Sequence, residues 1–257
     1  MKSRKTPPLA RAAQKSAVIA AILAAWWFLP QHFRNMFLPP LNEIAFSFVE
    51  MAKTGEMWKH IGYSLSRALA GFLIAEALSI PLGILLGWFD KAERYLDPLF
   101  QVMRNTSVLA IMPLFVMFMG VGETSKIAII VWGTFFPTLI VTIQGVKNVD
   151  PLLIQSAQSM GISRFGLFWK VVLPGALPYI LAGFRQSAGV ALIILVGAEM
   201  LGANYGLGFM ILHYQQGFLV AKMFAGILTL AVLGVLVNAL IVKLEARLTR
   251  WQEKIAK

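Results

Sequence analysis

Five ionisable side chains stand at or near the depth of long apolar runs in this sequence: Arg67, Glu76, Arg104, Arg185 and Glu199. A charge is costly in hydrocarbon, so such a group normally faces protein or a wet cavity, and each of the five is a site candidate by default. Arg185 and Glu199 are separated by roughly 21 Å along one helix, at 1.5 Å per residue, and cannot pair with each other. Depth instead brings Arg67 close to Glu199, as a structural ion pair near one end of their spans. Arg104 and Arg185 fall near the opposite ends, where a long side chain reaches headgroups, braces the adjoining segment or meets an anion. Glu76, near the middle of its span, reads as a buried neutral acid or as a hydrogen-bond partner of a neighbouring helix, with a proton relay as the weakest reading.

Other chemistries find no residues to carry them. The chain has no cysteine, which excludes disulfides and thiolate sites, and His32, His60 and His213 stand alone, without a second ligand type at metal spacing. No Gly-x-x-x-x-Gly-Lys-Ser/Thr loop is present to hold nucleotide phosphates. No Ser–His or Asp pair shares a depth as a membrane-embedded hydrolase would need.

A second feature is positional. Residues 147–178 are too apolar for a solvated loop and too interrupted for a span. Asp150 can cap a helix that Pro151 begins with its dihedral already set, and the helix runs from about Leu152 to Met160. Gly161 can take the left-handed conformation that closes it. Ser163 can cap a second helix through Phe165, Phe168, Trp169 and Val172, which Leu173-Pro174 should end. Small residues Ser156, Ala157 and Gly161 near the bend would let a partner approach the backbone. From the residues alone, the helix pair either fills a partner's groove or lies on the lipid.

The elements that must position these groups are membrane spans. Of 257 residues 58% are hydrophobic and 14% charged, with mean hydropathy +0.71, against about 45–50% apolar and about 25% charged in soluble domains. The apolar residues come in blocks near the ~20 residues that a bilayer demands of a helix. Spans are expected at 16–33, 63–89, 99–120, 126–146, 179–200 and 222–242. The first could be a signal peptide, but Trp26, Trp27 and Phe28 follow where small residues would permit cleavage, so a retained anchor is expected.

The larger part of the 23 Lys and Arg falls in the N-terminal tail, around Lys91 and Arg94, between Lys147 and Lys170, and after Lys243. That bias places both termini in the cytoplasm. The net charge of +11 is thus accounted for by topology, and a nucleic-acid partner is rejected. Leu41, Ile44, Phe48 and Met51 recur at helical spacing, as a short interfacial helix or an ordinary loop. Gly83 and Gly87 suit close packing on a neighbouring span or a partner subunit. No internal repeat is visible, so a second copy should supply the other wall of any pathway.

The run Gln155-Ser156-Ala157, then Gly161 after three residues, Val171 after nine more, and Leu173-Pro174 resembles the "Glu-Ala-Ala, Gly, Ile, Leu-Pro" signature of permease subunits of ATP-binding-cassette importers. Gly175-Ala176-Leu177-Pro178, Pro113-Leu114 and the stretch from Gly120 to Lys126 resemble its sulfonate, taurine, nitrate and bicarbonate branch, and the resemblance covers roughly residues 55–250. Gln155 stands where Glu is usual and Ser156 where Ala is usual.

The resemblance implies an all-α membrane protein of about six spans with a type I importer permease fold. A cytoplasmic tail at 1–15 would precede one permease domain at 16–250, and a second tail would occupy 251–257. It also implies that the bent segment couples to an ATPase through Gln155, Ser156, Ala157, Met160, Gly161, Ile162, Ser163, Arg164, Leu173 and Pro174. Glu76, Arg104, Arg185, Glu199, Gly206 and Gly208 become pathway or gate candidates, the last two in an uncharged loop from Gly202 to Gly208 at the outer gate.

The implied assembly is a homodimer in a bacterial inner membrane, with two ATPase subunits inside and a periplasmic or lipid-anchored binding protein outside. This chain would bind no cofactor and catalyse nothing; ATP and Mg would sit on the partner. The cargo would be a small anion, an aliphatic sulfonate or taurine first and nitrate or bicarbonate next. The competing expectation is a secondary transporter or channel not coupled to ATP, which would need an ion-binding break or a repeat.

Overall fold

The computed structural model describes residues 38–248 and Trp26, and these residues form helices joined by short turns and loops, with no strand among them. The expected span at 16–33 lies outside the described residues apart from Trp26. The described residues divide into two compact units, Trp26 and 38–58 with Ile211–Leu228, and Lys59–Met210 with 229–248.

In the first unit helix α1, Leu41–Lys53, forms on the expected apolar stripe, with Ile44 and Met51 buried and Phe46 on the open face. Glu50 meets Lys222 at 3.4 Å, and the Tyr214 hydroxyl donates to the Glu56 carboxylate.

The remaining helices are α2 (Glu56–Trp88), α3 (Asp90–Asn105), α4 (Val108–Met119), α5 (Glu123–Lys147), α6 (Pro151–Ser159), α7 (Arg164–Leu167), α8 (Leu173–Met200), α9 (Leu207–Gln216) and α10 (Val220–Leu248). Glu56–Trp88, Glu123–Lys147, Arg164–Met200 and Val220–Arg247 are each long and apolar enough to cross a bilayer alone. Glycines on α2 show how two of them pack. A Cβ at Gly71 would fall 2.7 Å from Ile130, one at Gly83 2.7 Å from Thr142, and one at Gly87 2.6 Å from Val146. The contacts advance together on both helices, so α2 and α5 run parallel at close approach. Gly83 and Gly87 therefore serve a neighbouring span of the same chain. Substituting Gly83→Ala is expected to destabilise by about 1–3 kcal/mol through overpacking. Gly62→Ala, which meets nothing within 4 Å, should instead stabilise its helix by up to about 1 kcal/mol. Thermal midpoints of the two variants in detergent check the contrast.

Parallel α2 and α5 require the chain to recross the bilayer between them. Only α3 and α4 are available, and they pass the length and apolarity test together while bent by 93°. The expected continuous span at 99–120 is thus corrected to a broken one that begins at Asp90. No proline sits at the break. Asn105 Nδ2 donates to the Gln101 carbonyl (2.7 Å) and Thr106 Oγ1 to that of Val102 (3.0 Å), and such side-chain bonds compete with continuation of the helix.

Helix α8 runs antiparallel to α5, since Gly145 faces Tyr179 and Gly183 faces Val141. It also starts earlier than the expected 179. The expected stop at Leu173-Pro174 does not occur: Phe168–Val172 forms a π turn that leads without interruption into α8. Proline has no N–H and its ring crowds the carbonyl four residues back; the wider π turn relieves both, and Leu173 N–H reaches the Phe168 carbonyl instead.

Candidate functional site

The bent segment is built by the residues expected to build it. Asp150 Oδ1 accepts from Leu152 N–H at 2.8 Å, with Pro151 in the first turn, and Ser163 Oγ accepts from Gly166 N–H at 3.1 Å. Between them Gly161 has φ +74°. Gly161 N–H bonds the Gln158 carbonyl (2.9 Å) and Ile162 N–H that of Ala157 (3.3 Å), the paired closure of a helix on a left-handed residue. Ala157, Leu167 and Val172 are buried with Val146, Val149 and Ala176, and Ile162 and Leu173 pack against that cluster. Ala157 thus points into its own chain, not at the open face where a partner would approach. Gln155, Ser156, Met160, Gly161, Ser163 and Arg164 are exposed, and Pro174 is half-buried. Leu152, Met160 and Phe165 are 67%, 82% and 74% exposed, a large apolar surface beyond what a solvated loop shows.

At the opposite ends of the spans the ion pair expected from depth is present. Arg67 Nη1 lies 2.8 Å from Glu199 Oε1, at 2% and 0% exposure. Sequence reasoning missed the rest of the network. Arg67 also forks onto Glu123, Nε to Oε2 at 2.5 Å and Nη2 to Oε1 at 2.6 Å, and Nη1 donates to the Tyr205 carbonyl at 2.6 Å. Glu199 accepts from Ser64 (2.8 Å) and from Gly208 N–H (2.8 Å), while Leu207 N–H donates to Ser64 Oγ at 2.7 Å. Ser64 sits one helical turn from Arg67, the one sequence signal that could have found it. Gly206 has φ +122°, and a Cβ there would fall on the Glu199 carboxylate. Gly206 and Gly208 therefore let the loop backbone close over a buried charge.

Mid-span, Glu76 is 4% exposed and accepts from Thr138 Oγ1 at 2.7 Å; Thr138 and Ser187 lie 2.5 Å apart, joining α2, α5 and α8. Of the three readings of Glu76, the inter-helix hydrogen bond is the one the geometry displays. Arg185 meets Glu245 of α10 at 3.5 Å, half exposed, a pair worth little by itself.

Arg104 is not where its expected position put it. Lys147 pairs with Glu93 at 2.8 Å, which fixes the start of α3 beside the end of α5. Arg104, almost a whole helix further on, is level with the middle of α5. There it lines a cavity of about 430 Å³ with Asn105, Thr106, Trp132, Pro137 and Gln186. A guanidinium at the break of a discontinuous span, beside two side-chain amides, can hold an anion.

Residues 79–250 match the family model described as the binding-protein-dependent transport system inner membrane component. The chain belongs to this family. It is a multi-pass permease subunit of ABC-importer type, in a family whose ATP hydrolysis falls to a separate ATPase. The permease is 40% identical over 84% of its length to a putative aliphatic sulfonates transport permease protein of Bacillus subtilis (strain 168), covering 78% of that chain. It is 35% identical over 96% of its length to the taurine transport system permease protein of Escherichia coli (strain K12), covering 93% of that chain. Among solved structures, the MetNI methionine ABC transporter in an inward-facing conformation has the same fold, with a TM-score of 0.64 at 17% identity over 72% of this chain and 93% of that one. The expected type I importer permease fold is borne out.

Proposed function

We propose that this permease works as a homodimer that carries a small organic sulfonate, taurine or an alkanesulfonate, across a bacterial inner membrane, with the pathway between the two copies. Both termini and the bent segment face the cytoplasm. There α6 and α7 dock into two ATPase subunits through Gln155, Ser156, Met160, Gly161, Ser163 and Arg164. ATP and Mg are held by those subunits, and a soluble or lipid-anchored binding protein delivers substrate at the other side.

The bent segment is the observation that supports coupling most. Its apolar face is open at Leu152, Met160 and Phe165, and its turn is rigidly closed at Gly161, so it is shaped to be covered by another protein. The broken span would also suit a secondary transporter. An arginine at the break favours an anion over a coupling cation, and family membership favours ATP as the source of work.

Purification of the tagged chain in mild detergent tests the assembly. An ATPase subunit at one per chain in a two-plus-two complex is the expected result. A chain that comes out alone and moves solute in ATP-free vesicles would overturn the reading. Arg104 supplies the substrate test. Losing a hydrogen bond to a charged group costs about 1.5–3 kcal/mol, so Arg104→Gln is expected to lower sulfonate uptake by tenfold or more while the two-plus-two complex survives. Unchanged uptake would remove Arg104 from the pathway.

A further inference from the structure

A groove of about 550 Å³ runs along the flank of α2 at the level where the bent segment leaves the spans. Pro81, Leu85 and Trp88 of α2 form one wall, and Phe165, Trp169 and Arg164 contribute the other side and its end. The lining is apolar except for Arg164, and Leu85, Phe165 and Trp169 are 51%, 74% and 52% exposed. Trp88 meets Phe168 edge to face at 5.2 Å, so the two walls are joined at the base. We propose that this groove holds one anionic phospholipid, with an acyl chain along α2 and its phosphate at Arg164.

Three observations select that occupant over water or a purely apolar partner. The wall from Pro81 to Trp88 extends roughly 10 Å along the helix axis at 1.5 Å per residue, and it belongs to a bilayer span, so hydrocarbon already bathes its lower end. Trp88 and Trp169 mark the height at which indole rings collect, between acyl chains and headgroups. Arg164 is the one charged residue that lines the groove. Arg164 has no ion-pair partner among the described residues. Lys91 and Lys170 are close along the chain to the lining Phe89 and Trp169. The nearby acids Asp90 and Glu93 both lie within ion-pair distance of Lys147, at 3.8 and 2.8 Å. An amphiphile with a long apolar tail and a negative head fits a slot that is apolar along its length and cationic at its mouth. The site is independent of what the transporter carries, but it shares Arg164 and Phe165 with the proposed docking face, of which they form the edge that also lines the groove with α2.

Native mass spectrometry of the detergent-purified full chain, titrated with phosphatidylglycerol and in parallel with phosphatidylcholine, tests this directly. One tightly retained phosphatidylglycerol per chain is expected, with phosphatidylcholine bound at least tenfold more weakly. Arg164→Gln should remove that headgroup preference, and Leu85→Trp, which fills the slot without touching a charge, should remove the bound lipid. Inorganic phosphate should fail to displace it, since the acyl wall carries part of the affinity. Equal retention of both lipids, or retention unchanged in both variants, would overturn the proposal. So would a photocrosslinker at position 165 that captures an ATPase peptide and no lipid in the assembled complex.

Discussion

Gly161→Glu is expected to abolish transport while the protein still inserts and folds. A Cβ at Gly161 meets nothing within 4 Å, so no core is disturbed. The cost to the chain itself is that of a non-glycine residue at φ +74°, about 1–2 kcal/mol, too little to unfold the bundle. The functional cost is different in kind, because a carboxylate is placed on the turn that an ATPase cleft would have to enclose, where it would lie desolvated and unpaired. Gly161→Asn separates the two effects. Asparagine tolerates the left-handed region and brings no charge, so most uptake should remain if the bend's shape is what the partner reads. The measurement is ATP-driven uptake in proteoliposomes beside the amount of monodisperse protein. Normal uptake with Gly161→Glu would sink the coupling role of the segment. Low uptake with both variants, with the ATPase still bound, would assign the turn to transmission of motion and not to docking.

How far such sites can be read from sequence depends on the range of the forces that make them. The bend at Gly161 was legible because each of its parts is local: the Asp150 cap, Pro151 in the first turn, a glycine where φ must be positive, and the Ser163 cap. The Arg67–Glu199 pair was legible because the bilayer sorts charges by depth. Three features were not. The break after Asn105 comes from two side chains bonding back to the helix they end, and it carries neither of the residues that usually announce one. The continuation through Pro174 needs a π turn, which no local preference signals. Arg104 was misplaced as a consequence of the first, since a span assumed to start at 99 puts residue 104 near its end, and a span that starts at Asp90 puts it deep. Glu123 escaped notice for a related reason: it lies at the mouth of an apolar run, where an acid needs no explanation, and only the packed structure shows it holding Arg67.

The Arg67 network makes the second large prediction, an asymmetry between the partners of one ion pair. Glu199 is fully buried and Arg67 nearly so, while Glu123 is 57% exposed. Substituting Arg67→Met leaves the Glu199 carboxylate without its cation in a dry site, and breaking a buried pair in that way costs about 3–5 kcal/mol. Substituting Glu199→Gln keeps the shape and leaves Arg67 bound to Glu123 through both arms of its fork; the glutamine NH2 must face the Arg67 or the Gly208 donor, at a cost of about 1–3 kcal/mol, so the loss should still be the smaller of the two. The double substitution Arg67→Met with Glu199→Gln removes both buried charges and is expected to recover much of the loss seen with Arg67→Met alone. Gly206→Ala should behave like the severe variant, because its Cβ would displace the same carboxylate and its φ of +122° strains any side chain. Thermal unfolding of the four proteins in one detergent gives the ordering. Raising the salt should leave it unchanged, since a buried pair is screened far less than a surface one. Equal losses for Arg67→Met and Glu199→Gln, with no recovery in the double variant, would mean that the loop over Glu199 is held by its backbone bonds to Ser64 and not by charge.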